Sequence, residues 1–290
     1  MNKLKLSKVI KTVDAGNIEF SARKVSSLLF EGLMDPIIGF DHFQLTKDVT
    51  GAHPHAGISA IIYLFGDSAP YHSLDSYETD QVISPGAMMW TWAGSGVVQI
   101  EFPIPQGSRV HGLLVLLNIT ASKKQSSPQI LYVDNRDIPE ISKDGFKIRL
   151  VCGSSGEFTN PVVTPDKLTF LHIFLDQGKD FAHLLQQGWS STIYVVKGKV
   201  EIQTSGGNRK LESGCVIALG LSIKDEIVSL HADADSEFVL LSGEPLNEQI
   251  YSSGSMSMGS VGELGKAISD FEEGKMGFIN LERNKIEVQV

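Results

Sequence analysis

Short apolar segments separated by turns recur along most of the 290-residue chain. Residues 58–65, 110–119 and 168–175 are rich in β-branched and aromatic side chains, and the first of these segments ends at Gly66-Asp67. Lys197-Gly198-Lys199 separates two further apolar segments and predicts a hairpin turn. Many short strands at fairly regular spacing are typical of a sandwich or barrel. The pattern therefore predicts an all-β fold.

One helix is predicted near the end of the chain. Ser260 and Glu263 have the spacing of a capping box, and Gly274 can terminate the helix. The apolar residues that share one face of this helix are Val261, Leu264, Ile268 and Phe271. We expect that face to dock onto a sheet.

A faint internal repeat relates the two halves of the chain. Ile62-Tyr63 followed by Gly66 and Pro85-Gly86 in the first half resembles Ile193-Tyr194 followed by Gly198 and Ser213-Gly214 in the second. Two similar β domains packed as a pair explain such a repeat. We assign them to residues 1–135 and 136–290.

The overall composition narrows the classes of function. A hydrophobic content of 42%, a formal charge of -9 and a pI near 5.4 indicate a globular protein without a general nucleic-acid-binding surface. The N-terminus lacks an apolar core of signal-peptide length, and the longest apolar run, residues 113–117, is too short to cross a bilayer. We therefore expect a cytoplasmic protein without membrane or direct nucleic-acid contact, and a monomer by default.

The most informative chemistry lies in His53-Pro54-His55 and Gln99-Ile100-Glu101, two polar pairs in apolar surroundings. Alternate residues of a strand point to the same side, so each pair projects together. If the two strands face each other, the four polar side chains converge in an apolar wall. Imidazole nitrogen and carboxylate oxygen suit a first-row divalent metal, iron in particular. The pattern predicts a metal site formed by His53, His55, Gln99 and Glu101.

Alternatives without a metal remain open at this stage. The two histidines could lie on a polar surface loop, or a buried Glu101 could be hydrogen-bonded to one of them. Nearby large side chains could line a ligand cavity or form ordinary core. These candidate lining residues are Phe43, Met88, Trp90 and Trp92.

The repeat also predicts which half carries the chemistry. Shifting the register of the first half onto the second places Leu184 and Gln186 at the positions of the two histidines, and Ser229 near that of the carboxylate. His183 is close but falls on the opposite alternation. We therefore expect the residues of the second half to lack the ligand set.

Several segments, in order along nearly the whole chain, resemble the pirins, which are two-domain members of the cupin superfamily. The matching segments are Met34-Asp35-Pro36, Phe40-Asp41-His42-Phe43, His53-Pro54-His55-Ala56-Gly57, Ser84-Pro85-Gly86, residues 90–103 (WTWAGSGVVQIEFP), Gly188-Trp189-Ser190 and Ser242-Gly243-Glu244-Pro245-Leu246. The resemblance implies two jelly-roll β-barrels facing each other, with a metal only in the N-terminal barrel.

The resemblance also implies a ligand set. Pirins typically bind iron through three histidines and one glutamate, and His53, His55 and Glu101 match three of these ligands. Gln99 stands where the third histidine is found. Its neutral amide is a poorer ligand, although two histidines and one carboxylate can still hold Fe(II) or another divalent transition metal. A competent site, a weak site and an empty site are all compatible with this substitution.

Three classes of function follow from the resemblance. The first is an iron-dependent oxidoreductase of the quercetin 2,3-dioxygenase type, with Glu101 as the catalytic group that takes a proton from a flat aromatic substrate. The second is a non-enzymatic, metal- or redox-responsive regulator that binds a transcription factor or a metabolic enzyme. The third is a metal-free cupin that serves as a binding module.

Overall fold

The computed structural model describes residues 3–279, which form mostly β-strands. The first thirteen strands are β1 Lys5–Leu6, β2 Ile10–Lys11, β3 Asp14–Gly16, β4 Phe20–Ser26, β5 Ile37–Leu45, β6 His53–His55, β7 Ile58–Leu64, β8 Tyr71–Asp75, β9 Asp80–Ile83, β10 Met88–Trp92, β11 Val97–Pro103, β12 Val110–Asn118 and β13 Gln129–Val133. The remaining strands are β14 Glu140–Lys143, β15 Phe146–Cys152, β16 Ser154–Ser155, β17 Phe158–Thr159, β18 Leu168–Leu175, β19 Asp180–Leu185, β20 Ser190–Thr204, β21 Gly207–Glu212, β22 Cys215–Gly220, β23 Glu226–Gly243, β24 Tyr251–Ser253 and β25 Met256–Met258. The helix α1 spans Val261–Glu272, and short 3₁₀ helices span Ser27–Phe30, Ala121–Lys123 and Asn135–Asp137.

The prediction of an all-β fold with a terminal helix is confirmed. Within residues 3–279, no helix is long and apolar enough to cross a membrane.

The first half is built from two antiparallel sheets. A seven-stranded sheet has the order β13-β10-β7-β12-β5-β4-β3, and a four-stranded sheet has the order β6-β11-β8-β9. A small apolar cluster that includes Phe43, Leu64, Tyr71 and Met89 fills part of the space between them. The rest of that space is the cavity described below.

The second half is organised around one ten-stranded sheet. Its main path runs β1-β22-β20-β23-β18-β15-β14, while β19, β2 and β21 pair with β23, β22 and β20 respectively. The long strands β20 and β23 bend, so the sheet curls around its own apolar interior. Buried residues such as Leu171, Phe181, Ile193 and Phe238 occupy that interior.

The hairpin turn predicted at Lys197–Lys199 is wrong. Strand β20 continues through these residues, and its pairing with β23 shifts register there, which marks a bulge. Gly198 has a φ of +87°, and a Cβ at this position would lie 2.4 Å from the Asp235 carbonyl oxygen. Glycine at this position therefore allows β20 to pass close to the backbone of β23. The chain turns later, where Thr204 pairs with Gly207.

The two halves pack sheet against sheet through a shared apolar core. It joins residues of the first half, such as Phe40 and Trp90, to residues of the second, such as Phe170. Two hydrogen bonds cross this core. The Tyr63 hydroxyl lies 3.1 Å from His172 Nδ1, and the Tyr194 hydroxyl lies 2.7 Å from His42 Nδ1. The two tyrosines of the repeat thus make reciprocal contacts, as expected for similar domains packed as a pair.

Each half receives a segment that lies far away in the sequence. Strands β1 and β2 pair with β22 of the second half. In the other direction, the hairpin β24–β25 forms a bridge between Met256 and Ala56 of the first half. The exchange places C-terminal residues beside the first half's cavity.

The terminal helix follows its sequence signals closely. The Ser260 hydroxyl accepts a hydrogen bond from the Glu263 N–H at 3.2 Å, and the Gly274 N–H bonds to the Phe271 carbonyl. Most of the predicted stripe packs against the first half, but Val261 is 67% exposed. Val261 is the first helical residue, so it precedes the region of contact.

Candidate metal and ligand site

The four predicted site residues lie on two adjacent strands. Strands β6 and β11 are hydrogen-bonded neighbours, with Gln99 opposite His53 and Val97 opposite His55. Directly paired residues share a face of the sheet, so all four side chains point to the same side. Strand alternation therefore predicts the shared face correctly, but the two strands are neighbours in one sheet and do not oppose each other across the sandwich.

The two imidazoles form a close pair. His53 Nε2 lies 3.2 Å from His55 Nε2, and His53 Nδ1 lies 3.0 Å from the Gly51 carbonyl oxygen. That carbonyl can only accept, so the neutral tautomer of His53 that fits this contact has its proton on Nδ1 and its lone pair on Nε2. Burial lowers the pKa of His55 to about 3, with the charge of His53 adding to the effect and the Ser255 backbone opposing it. His55 is therefore neutral, as a metal ligand must be.

The amide and the carboxylate occupy different surroundings. The Gln99 Nε2 atom donates to the Thr91 hydroxyl at 2.9 Å, which leaves the amide oxygen as the end available to a ligand. Burial raises the pKa of Glu101, and Asp48 and Asp75 act in the same direction, while His53 opposes them. A carboxyl whose pKa is raised within a cavity is suited to exchange a proton with a bound molecule.

The fit of these residues to a metal is partial. Two nitrogen ligands about 2.1 Å from one ion lie about 3.0–3.4 Å apart at right-angle to tetrahedral geometry, and the observed imidazole separation is 3.2 Å. The types of donor atom also suit iron. However, residues 3–279 contain no group of three or more His, Cys, Asp or Glu side chains arranged to hold a metal ion. The structure thus brings His53 and His55 together but does not add Glu101 as a third ligand.

The site residues form one side of a cavity of about 550 Å³ between the two sheets of the first half. This volume lies within the range of small-molecule sites, about 300–1,000 Å³. The opposite sheet contributes the apolar residues Ile62, Leu114 and Leu116, and it also carries the Lys24–Asp41 ion pair at 3.2 Å. The full lining comprises Phe20, Lys24, Asp41, Phe43, Leu45, Val49, Thr50, His53, His55, Ala60, Ile62, Tyr71, Thr91, Gln99, Glu101, Leu114, Leu116, Gly254 and Ser255.

Of the predicted lining residues, Phe43 faces this cavity and the other three lie elsewhere. Met88 and Trp90 are fully buried in the core between the halves. Trp92 points to the same side of β10, and its indole N–H donates to the Ser126 hydroxyl at 3.1 Å. Thr91 points the other way, into the cavity. The predicted walls are therefore corrected: β10 contributes Thr91 in place of the two tryptophans and Met88.

Sequence reasoning missed two kinds of lining residue. Tyr71 and Thr91 lie on strands whose residues are buried on both faces, so alternation does not reveal which face borders the cavity. Gly254 and Ser255 come from the hairpin at the far end of the chain. The Ser253-Gly254 pair is a turn signal, but nothing local indicates where the hairpin docks.

In the described part of the second half, residues 136–279, the corresponding inward row of side chains is apolar. Across β19, β23 and β20, Leu230 is paired with Phe181 and with Ile202. The predicted register is wrong by one residue, because His183 is buried whereas Leu184 is 46% exposed. His183 therefore stands on the inward face of β19, where it borders a small cavity of about 90 Å³ together with Thr169 and Ser242.

The two packed jelly-roll halves, one with a cavity and one with a filled interior, define a two-domain cupin. The Pirin family model matches residues 13–115, and the Pirin C-terminal cupin domain model matches residues 170–277. Pirin of Rattus norvegicus is 31% identical over 248 residues, which cover 85% of this chain and 84% of that protein. The chain belongs to the pirin family.

Solved structures share the same architecture. Quercetin 2,3-dioxygenase from Acinetobacter baumannii superposes with a TM-score of 0.84 at 23% identity, covering 95% of this chain and 99% of that one. The bacterial pirin YhhW from Escherichia coli, solved in complex with nickel(II), superposes with a TM-score of 0.63 at 16% identity, covering 84% of this chain and 100% of that one. At these identities the likeness shows the fold.

Proposed function

We propose that this pirin is a metal-dependent oxidoreductase that acts on a flat aromatic molecule of the flavonol type, with iron held by the imidazoles of His53 and His55 and with the Glu101 carboxyl in the same cavity. The observation that carries the proposal is the imidazole pair, 3.2 Å apart, at one side of an apolar cavity of about 550 Å³. The nickel complex of YhhW and the dioxygenase from Acinetobacter support the metal and the reaction by analogy with their fold.

The residues of the chain have separable roles in this proposal. The apolar wall of Ile62, Leu114 and Leu116 excludes water from an aromatic ring. The Glu101 carboxylate accepts the proton of a phenolic hydroxyl, which its raised pKa favours. Iron held by the two imidazoles would supply oxygen activation when coordination positions remain open.

The test combines metal loading with oxygen uptake. Protein incubated anaerobically with ferrous iron and desalted is expected to retain iron near one equivalent, and to consume one oxygen per quercetin. Glu101→Gln should lose turnover. Met88→Leu, in the core between the halves, is the matched control and should retain both properties. Iron retention without oxygen uptake would reject the reaction, and absence of iron in the wild type would reject the metal site.

A second candidate is a binding module without catalysis. It is favoured by the bond that fixes Gln99 to Thr91 and by the absence of a three-ligand group within residues 3–279. In this case the cavity binds a small molecule or supports contact with a regulatory protein partner. Quercetin binding that is independent of added metal, without oxygen uptake, would support this candidate over the first.

A further inference from the structure

We propose that the C-terminal hairpin β24–β25 is a specificity-determining wall of the first half's cavity, and that Gly254 and Ser255 at its tip limit the size of the ligand. The inference rests on the proposed function only in assuming that the cavity takes an organic ligand. Both residues line the cavity together with His53 and His55, although about two hundred residues separate them in the chain.

The hairpin is fixed to the strand that carries the two histidines. The Ser255 hydroxyl donates to the Pro54 carbonyl, between His53 and His55. One residue pair further on, the Ser257 N–H donates to the Ala56 carbonyl at 2.9 Å, beside the bridge between Ala56 and Met256. One side-chain bond to β6 and one main-chain bond to the residue that follows it thus hold the hairpin, with its tip at the imidazole pair.

Gly57 makes this approach possible. Its φ is +67°, a conformation that favours glycine, and a Cβ there would lie 2.1 Å from the Ser257 carbonyl oxygen and 2.7 Å from Met258 Sδ. Any side chain at this position would therefore displace β25 from β6. The glycine that follows the histidine motif has a role in seating the hairpin.

A buried lysine anchors the same junction. Lys124 is 1% exposed, and its Nζ donates to the Gly57 carbonyl at 2.6 Å, the Ser257 carbonyl at 3.0 Å and the Asn118 Oδ1 at 2.6 Å. Burial lowers the pKa of Lys124 to about 8, so the ammonium remains protonated at neutral pH. All three of its N–H donors are then used. Lys124 is a positioning residue that joins the hairpin to the first half.

Gly254 is the position at which the wall can be changed without changing its anchors. Its φ is +57°, and no atom lies within 4 Å of a Cβ built there. A large side chain therefore has room beside the cavity. Gly178, in the turn between β18 and β19 of the second half, offers a matched control, since its φ is +75° and its Cβ position is also open. Both positions impose a similar backbone penalty on a side chain.

The experiment compares Gly254→Tyr and Gly178→Tyr in the full chain by two measurements. The first is the affinity for quercetin and for the smaller catechol, by calorimetry. The second is the rate at which diethyl pyrocarbonate modifies His53, by mass spectrometry of the peptide, which requires no ligand. Gly254→Tyr is expected to weaken quercetin binding about tenfold or more, to change catechol binding less than about threefold, and to slow His53 modification about fivefold.

The outcomes separate this inference from the proposed function. Gly178→Tyr should stay within about twofold of the wild type in both measurements. If the wild type binds neither phenol but Gly254→Tyr slows His53 modification, the flavonol proposal is rejected and the inference that the hairpin borders the cavity is supported. Equal modification rates in the two variants would contradict that inference. Equal quercetin affinities in the two variants would overturn its role in specificity.

Discussion

The two halves of this pirin have a similar arrangement of β-strands but differ in the side chains that occupy the interior of each half. In the first half, the paired row across β6, β11 and β8 is His53, Gln99 and Asp75. The corresponding row of the second half consists of Phe181, Leu230 and Ile202. His53 and Gln99 of the first row border a cavity of about 550 Å³, whereas the whole second row belongs to a buried apolar cluster.

The opposite sheet shows the same difference at one position, a polar residue in the first half and an apolar residue in the second. Counted from the two interface tyrosines, Ala60 corresponds to Ser191, and the residues paired with them are Thr91 and Leu219. Thr91 holds the amide of Gln99, while Leu219 is fully buried core. A cupin half is therefore stable with a filled interior, and the ligand site of the other half requires small and polar residues at a few inward positions.

The largest expected effect, on metal affinity, comes from replacing polar residues of the first half's row with the apolar residues found in the second half's row. His53→Phe combined with Gln99→Leu should reduce affinity for a divalent metal about a thousandfold, or about 4 kcal/mol, because an imidazole ligand and the amide oxygen are lost. Equilibrium dialysis with cobalt(II) measures this change. The free energy of unfolding should be unchanged or rise, since buried polar groups become apolar. Undiminished metal binding would show that this polar row does not form the metal site of the first half.

Acid should weaken the contact between the halves. His42 accepts the Tyr194 hydroxyl at Nδ1, and its Nε2 lies 2.8 Å from His111 Nε2, which in turn contacts Asp67. An imidazole in the unfolded chain titrates near 6.5, whereas burial chiefly lowers the pKa of His42 to about 3, with the charges of His111 and Arg23 adding to this. Between these values the unfolded chain binds more protons. Stability is therefore present above pH 6.5 and lost as the pH falls toward 3.

Denaturant unfolding across this pH range should show a loss of about 3 kcal/mol from His42, less than the full pKa difference because the site relaxes. His42→Gln removes the titrating group and keeps a side chain that can bond to Tyr194, so its stability should depend less on pH. A variant curve parallel to that of the wild type would show that the pH dependence arises elsewhere.

The junction between the hairpin and the first half should respond to loss of the lysine. Lys124→Met leaves three buried oxygen acceptors without a donor, and we expect the free energy of unfolding to fall by about 2 kcal/mol. Hydrogen exchange of the Ser257 N–H should accelerate more than that of strands in the second half. Uniform acceleration across both halves would contradict a local anchor. Lys123→Met, at the neighbouring position, is the control.

The smallest expected effect concerns the amide. Gln99→His introduces a third imidazole beside His53 and His55, and metal affinity should rise about tenfold, or about 1.4 kcal/mol. The bond to Thr91 competes with this gain, because the new ring can also contact the hydroxyl. Titration with cobalt(II) compares the variant with the wild type. Equal affinities would show that position 99 does not reach the ion.

Part of this architecture could be predicted from the sequence because its signals are local. Alternation placed His53 and His55 on one face and Gln99 and Glu101 on another strand, and the capping pattern located α1. Strand β10 shows the limit, since Met88 to Trp92 are all buried and the side that faces the cavity is set by the second half. Long-range packing also decides where Gly254 lies.

The most direct test of the account is a titration of the full chain with cobalt(II), followed by its visible absorption, in wild type, His55→Ala and His183→Ala. His55 and His183 are both buried, and burial lowers the pKa of both, to about 3 and about 4 respectively. The account predicts one bound ion in the wild type, its loss in His55→Ala and its retention in His183→Ala. Absence of binding in the wild type, binding that survives His55→Ala, or loss in His183→Ala would contradict a metal site in the first half.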